Sequence, residues 1–440
     1  NGHLMNMTTV KQASGAIPEA AKTSPLNGHR QALLLLVLAY TLSIADRMIL
    51  SILFPNIKAE FGLSDAQLGL LGGFSFALFY ATLGIPIARL ADRYSRKMII
   101  VVSLAIFSLM TALSGWAAGL ISLFVFRIGV GIGEAGVNPA SHSMIADYFP
   151  PRRRAFAMAI LMLGANVGMI LGFAAGGVIA EYYGWRIALM SVGFPGLLLA
   201  FVFVWLLREP PRGSFEDHAK SVKVTEPPPP ILKTAQTLWS NPALRQLLLG
   251  SVVIGMLANG LMQWLPTFFT RNHDMGQSQV GMMMALFFGT LGALGALVSG
   301  KLADRLSPKG FQYGMWMVAG AMALAIPFWT AAFWVDNLAL AMALFIIPAF
   351  TGNFYLGPSL ALIQTLSPVP MRAVASAIAM FCLNLIGMGL GPLIIGLLSD
   401  SLIPVFGDAS LKIALASFCL LGLWGAFHFA LCGKALARQR

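Results

Sequence analysis

Residues 89–97 read RLADRYSRK and residues 301–309 read KLADRLSPK, an echo at an offset of 212 positions. RAFAMAI at 154–160 returns as RAVASAI at 372–378, offset by 218, and Asn166 and Asn384 each follow their arginine by twelve residues. Three landmarks at nearly one offset mean a duplicated half-chain. Residues 208–240 separate the copies and are hydrophilic, with Glu209, Glu216, Asp217, Lys220 and the run Pro227 to Pro230. Such composition suits a flexible or partly extended linker. The reading divides the chain into a disordered cytoplasmic tail (1–30), an N-terminal six-helix bundle (31–207), a cytoplasmic linker (208–240), a C-terminal six-helix bundle (241–433) and a short cytoplasmic tail (434–440).

Each half is built of hydrocarbon-length runs. The chain is 58% hydrophobic and 10% charged, with mean hydropathy +0.77; a soluble domain carries about 25% charged residues. Twelve spans fit, near 31–54, 68–88, 97–117, 121–146, 155–180, 186–207, 244–270, 280–300, 312–333, 337–363, 372–399 and 410–433. The runs are continuously apolar rather than alternating, so the expected fold is an all-α membrane protein of twelve transmembrane helices in two pseudo-symmetric bundles, and not a barrel.

The net charge of +12 does not indicate a nucleic-acid partner, because its distribution follows the membrane. Of 29 Lys and Arg, Arg47 and Arg127 lie inside spans, and Lys58, Arg186, Arg271 and Lys412 lie on one side. The other 23 lie on the opposite side, so both termini are expected to be cytoplasmic and the excess charge to meet anionic lipid. Cys382, Cys419 and Cys432 sit inside apolar spans without metal spacing, and the six His are scattered. The glycine-rich segment Gly129 to Gly136 follows no strand, so it is not a nucleotide loop. No enzyme signature, metal or cofactor is expected. Residues 1–30 hold no apolar signal core.

Four charges interrupt the hydrocarbon. Asp46 and Arg47 fall in the first span, Arg127 and Glu134 in the fourth. Each costs about 2.5 to 3.5 kcal/mol near a bilayer centre unless it is paired or faces water. Asp46 and Arg47 point roughly 100° apart and need not pair with each other. Counting about 1.5 Å per residue places Asp46 and Arg127 at matching depth, with Glu134 on the face of Arg127 and nearer the midplane. Asp46 is the expected proton carrier and Glu134 its competitor, since apolar surroundings hold a carboxyl proton and a neighbouring arginine releases it. Arg47 and Arg127 would hold an anionic group. A plainer reading is a static ion-pair network between the two spans.

The second half carries only neutral polar residues deep in its spans. Asn259, Gln263, Trp264, Asn353 and Tyr355 are taken as its contribution to the substrate site, with Phe268, Phe269 and Phe354 as candidate apolar lining. Gly164, Gly168, Gly172 and Gly176 recur every four residues in span 5, a spacing that lets helices approach closely.

The opening repeat, with Arg89, Asp92, Arg93 and Arg96 in the first copy and Asp304 and Arg305 in the second, resembles the G-x-L-A-D-R-x-G-R-K loop of the major facilitator superfamily. Ala88 replaces its first Gly, Ser95 and Ser307 its second, and Pro308 an Arg. The resemblance implies alternating access, with these loops latching the cytoplasmic face while the outside is open, and a monomer as the superfamily default. Longer segments are similar to the Spinster lipid transporters, in a bacterial-type form: SIADRMILSILFPNIKAEFGLSDAQLGLLGG (43–73), RIGVGIGEAGVNPASHSMIADYFPPRRRAFAMAI (127–160) and GWRIALMSVGFPG (184–196). LPTFFTR (265–271) and GNFYLGP (352–358) match more loosely.

That similarity implies that Asp46, Arg47, Arg127 and Glu134 are the working charges. It also implies an amphipathic cargo, because eukaryotic relatives are linked to sphingosine-1-phosphate and lysophospholipid export. The expectation is a proton-coupled secondary transporter of the inner (cytoplasmic) membrane, moving a small amphipathic anion such as a lysophospholipid. The alternatives are a proton-driven multidrug antiporter, an organic-anion transporter and, last, a non-transporting membrane sensor.

Overall fold

Hydrocarbon offers the peptide group no water, so each apolar run satisfies its backbone internally as a helix. The computed structural model describes residues 25–215 and 230–438, apart from the side chains of Asp92, Val369 and Ala373. Most of the N-terminal tail, the central linker residues 216–229 and residues 439–440 lie outside the described residues.

Ten spans are continuous: α1 (His29–Phe61), α2 (Asp65–Ala91), α3 (Arg96–Ser114), α4 (Leu120–Tyr148), α5 (Pro151–Tyr183), α6 (Trp185–Leu206), α7 (Pro242–Asn272), α8 (Gln277–Lys309), α9 (Phe311–Trp334) and α10 (Leu338–Leu366). An eleventh apolar stretch, Val374–Ala437, is 64 residues long. At about 1.5 Å per residue it would cross a bilayer core three times over as a straight rod. It folds back at Gly407, whose φ of 53° belongs to the left-handed region. This makes α11 (Arg372–Cys382, Leu383–Met388, Gly389–Phe406) and α12 (Ser410–Cys419, Leu421–Ala437), packed together as an antiparallel pair. The protein is thus an all-α membrane protein of twelve spans, and no strand occurs among the described residues.

The duplication is visible as repeated geometry. Arg154 donates from Nε to the carbonyl of Phe149 at 3.1 Å, and Arg372 donates to the carbonyl of Ser367 at 3.3 Å. Each arginine ties the start of its helix to the end of the preceding one.

Among the described residues the halves pack together mainly toward one end. One hydrophobic cluster joins both halves, from Ile49, Leu53 and Phe54 of α1 to Trp264, Leu265 and Phe268 of α7. Two further clusters draw their buried residues from one half each, around Leu36 and Met144 and around Leu244 and Phe429. We call the face bearing Pro25 and Arg438 the terminal face and the other the distal face. The joint cluster is distal. Gly69 and Gly73 of α2 lie against the backbone of Pro392 and Gly389, and Gly281 of α8 against the carbonyl of Phe173. Toward the terminal face, Gly84 and Gly300 have nothing within 4 Å of where a Cβ would stand. The seam helices α2, α5, α8 and α11 each widen into a π-turn, at Leu70–Phe74, Leu171–Ala175, Ala285–Leu291 and Leu383–Met388. Such turns recur at functional sites.

The span 5 glycines press onto α1. A Cβ on Gly168 would stand 2.3 Å from the carbonyl oxygen of Thr41, and one on Gly172 would stand 2.6 Å from that of Ala45. Gly168→Val is therefore expected to cost about 1–3 kcal/mol, the scale of overpacking, because backbone and not a movable side chain blocks the space. Thermal unfolding in detergent measures this, and an unchanged midpoint would mean that α1 and α5 separate easily.

Candidate functional site

Residues three and four apart share a helix face, so α1 presents Ser43, Asp46 and Arg47 toward α3 and α4. Asp46 is 0% exposed; its Oδ1 accepts from the Thr111 hydroxyl at 2.5 Å and its Oδ2 from Arg127 at 3.0 Å. Arg47 donates from Nε to Glu134 Oε2 at 2.7 Å, and Ser43 donates to the same oxygen at 2.7 Å. The adjacent Asp46 and Arg47 thus pair separately across to α4. Phe76 of α2 lies between the two cations, with its ring centre 4.8 Å from the Arg47 guanidinium carbon and 5.6 Å from that of Arg127. Tyr80 adds a second ring, 4.6 Å from Arg47. Two buried pairs of opposite sign sum to zero, which makes burial at this depth tolerable. Glu134 Oε1, Arg127 Nε and Gln263 Nε2 have no hydrogen-bond partner among the described residues.

Arg47, Arg127 and Phe76 border a polar cavity, lined also by Asn259, Gln263 and Met388, among others. A larger cavity lies mostly in the second half, lined chiefly by apolar residues including Leu257, Phe288, Met322, Ile326 and Trp329, with Asn353 at its wall and Met169 of α5 reaching it from the first half. Met262 lines both. Asn259, Gln263 and Asn353 are therefore cavity residues. Trp264 and Tyr355, expected at the substrate site, line neither. Trp264 is buried in the seam, where its indole N–H donates to the Pro392 carbonyl at 2.8 Å and its ring meets Phe54. Tyr355 packs on Phe429. Phe268 and Phe269 join Phe333 and Phe345 in a buried aromatic cluster. Large aromatic side chains bury the most area, so the core took them.

At the distal face the halves are locked by a group that sequence reading passes over. Asp65, 0% exposed, accepts from Lys58 at 2.5 Å, from both terminal nitrogens of Arg271 at 2.8 and 2.9 Å, and from Ser399 at 2.7 Å. Asp400 of α11 accepts the backbone N–H groups of Asp65 and Ala66 at 2.9 and 2.8 Å, which caps α2 from the opposite half. The local sequence SDAQ reads as a capping box, and Ser64 and Gln67 do form one. That ordinary role hides the residue between them.

At the terminal face Arg89, Arg93, Asp304 and Arg305 are exposed, and the Asp92 side chain lies outside the described residues. Arg96 differs. It is 1% exposed and pairs with Asp147, with Glu209 at 2.8 Å and with the carbonyl of Pro210, tying the loop to the start of the linker. Burial would raise the Glu209 carboxyl pKa, but bonds from Arg96, the Lys97 N–H and the Ser95 hydroxyl hold it below the ordinary range. A depressed carboxyl contributes stability above its unfolded pKa and loses it as pH falls through the folded one. Glu209→Gln should therefore raise hydrogen exchange across 208–215 at pH 7. The wild type should show the same only below the usual carboxylate range of about 4.3.

The family model of the Major Facilitator Superfamily matches residues 36–392. An MFS-type efflux pump of Mycolicibacterium smegmatis is 32% identical over 385 residues, covering 86% of each chain. Spinster homolog 1 of Homo sapiens is 26% identical, over 86% of this chain and 74% of that one. Among solved structures, a bacterial homologue of the human lysosomal transporter Spinster, captured inward-facing and unoccupied, superposes with TM-score 0.85 at 28% identity, over 95% of this chain and 99% of that one. A twelve-span bundle with paired buried charges beside a central cavity, matched over this length, belongs to the major facilitator superfamily; the chain is a multi-pass membrane transporter with Spinster proteins among its relatives, and not an enzyme.

Proposed function

We propose that the protein moves an amphipathic anion, a lysophospholipid or a sphingolipid-like molecule, by proton-coupled alternating access. The observation that carries this reading is the pair of cavities sharing Met262. One presents Arg47 and Arg127 to an anionic headgroup, and the other presents an apolar wall to a single acyl tail. With the terminal face cytoplasmic, the described state opens inward. Asp46 carries the proton in this reading, and Glu134, whose Oε1 has no hydrogen-bond partner among the described residues, is the competing site. Protonating either carboxyl frees its arginine for the cargo, which is how proton and substrate would be linked.

The test is flux of a labelled lysophospholipid in proteoliposomes, with and without a pH gradient. Protein-dependent flux that follows the gradient supports the reading. Flux that ignores the gradient removes proton coupling. Absence of flux from vesicles holding folded protein removes the lipid. The similarity to a mycobacterial efflux pump favours a second reading, drug efflux. Saturable transport of a cationic dye, unaffected by excess lysophospholipid, would favour that instead, although two arginines in the cavity disfavour a cation.

A further inference from the structure

The linker is not extended throughout. Ile231–Ser240 forms a helix, and Asn241 caps α7, whose first residue is Pro242. Thr234 and Leu238 of this helix are buried, against α7 and the terminal half of α11. Yet Leu232 is 69% exposed, Trp239 57% and Ile231 50%. At about 100° per residue, the buried pair and this exposed stripe form one continuous apolar arc, with Lys233, Gln236 and Ser240 opposite. Half of the arc is spent on the protein and half is uncovered.

From this geometry we infer that the uncovered half of the linker helix is an in-plane membrane anchor, seated in the leaflet at the terminal face. The helix has little choice of depth: it ends two residues before α7 begins, so Trp239 stands within roughly 10 Å of the start of that span. Tryptophan favours this interfacial level. The occupant is argued from charge as well. Lys233 is exposed on the helix, Arg245 follows on the first turn of α7, and Lys434 and Arg438 lie at the end of α12, which packs along α7. That basic rim fits anionic headgroups, while Leu232 and Trp239 reach the acyl boundary. Because the helix also rests on α11, the anchor would hold the terminal end of a seam helix against the leaflet.

The test uses the full chain with its three cysteines replaced (Cys382→Ser, Cys419→Ala, Cys432→Ala) and an environment-sensitive fluorophore on single cysteines. Leu232→Cys and Trp239→Cys report the stripe, and Gln236→Cys reports the polar face. Each is reconstituted in vesicles of phosphatidylcholine with or without phosphatidylglycerol. Shallow nitroxide lipid should quench the labels at 232 and 239 several-fold more than the label at 236, with iodide in the buffer doing the reverse. The contrast should be larger with phosphatidylglycerol. Equal iodide access at all three positions would overturn the inference. So would labels at 232 and 239 shielded from iodide yet not quenched by lipid, which would put a protein segment on the stripe. The Gln236→Cys label, in the same background, guards against misfolding.

Discussion

Asp46→Asn is expected to bring gradient-driven accumulation of substrate down to background. Asn keeps the volume and can still accept from the Thr111 hydroxyl, which donates to Asp46 at 2.5 Å. It cannot take up and release a proton, and it leaves Arg127 without its counter-charge. Removing one partner of a buried pair costs about 3–5 kcal/mol. Arg127 is 2% exposed, so little water relieves it. The variant should therefore lose both stability and coupling. The double variant Asp46→Asn with Arg127→Gln separates the two effects, because it buries no lone charge. It should recover most of the thermal stability while accumulation stays at background. If residual flux in either variant still followed the pH gradient, the pair would be a structural tie between α1 and α4, and the proton would have to travel elsewhere. Glu134→Gln is then the variant to measure.

Asp65→Ala is expected to unlock the distal face. Four donated bonds converge on this carboxylate, three from Lys58 and Arg271 and one from Ser399, and Arg271 and Ser399 come from the opposite half. Without it, two cations face one another. The Lys58 and Arg271 side chains are 30% and 26% exposed, so the lower end of the buried-pair scale applies, about 3 kcal/mol. The share carried by Arg271 and Ser399, which cross from the other half, falls on the distal-closed state. Since about 1.4 kcal/mol is a factor of ten, the balance between the two states should shift by at least tenfold and at most roughly a hundredfold. Spin labels at Tyr183 and Asp408, exposed on opposite halves of this face, would then show a second, longer distance distribution. An unchanged distribution together with unchanged transport would mean that the apolar seam alone holds the face shut.

How far the sequence carries the reader differs from one residue to the next. Twelve spans, two halves and the four charges in hydrocarbon follow from composition and from the repeat at 89–97 and 301–309. A bilayer imposes its rule on every residue it touches, so run length and misplaced charge are local signals. Arg154 and Arg372 show the same thing: a repeated residue returns as a repeated hydrogen bond because its partner is five residues away. Trp264 and Tyr355 show the opposite. Both are amphipathic enough to suit a pocket, and only the neighbours supplied by distant spans decide that they are buried away from it.

The sequence by itself therefore determined that this chain is a duplicated twelve-helix membrane bundle with charges inside it. Only the tertiary structure decided that Asp46 answers to Arg127 and Arg47 to Glu134, 81 and 87 residues away. The same holds for Asp65, which meets Arg271 across 206 residues, and for the choice of which face is closed. Helix formation is written in near neighbours, whereas these pairings depend on how finished helices stack. Periodicity records which face of a helix is special, but not which other helix that face will meet.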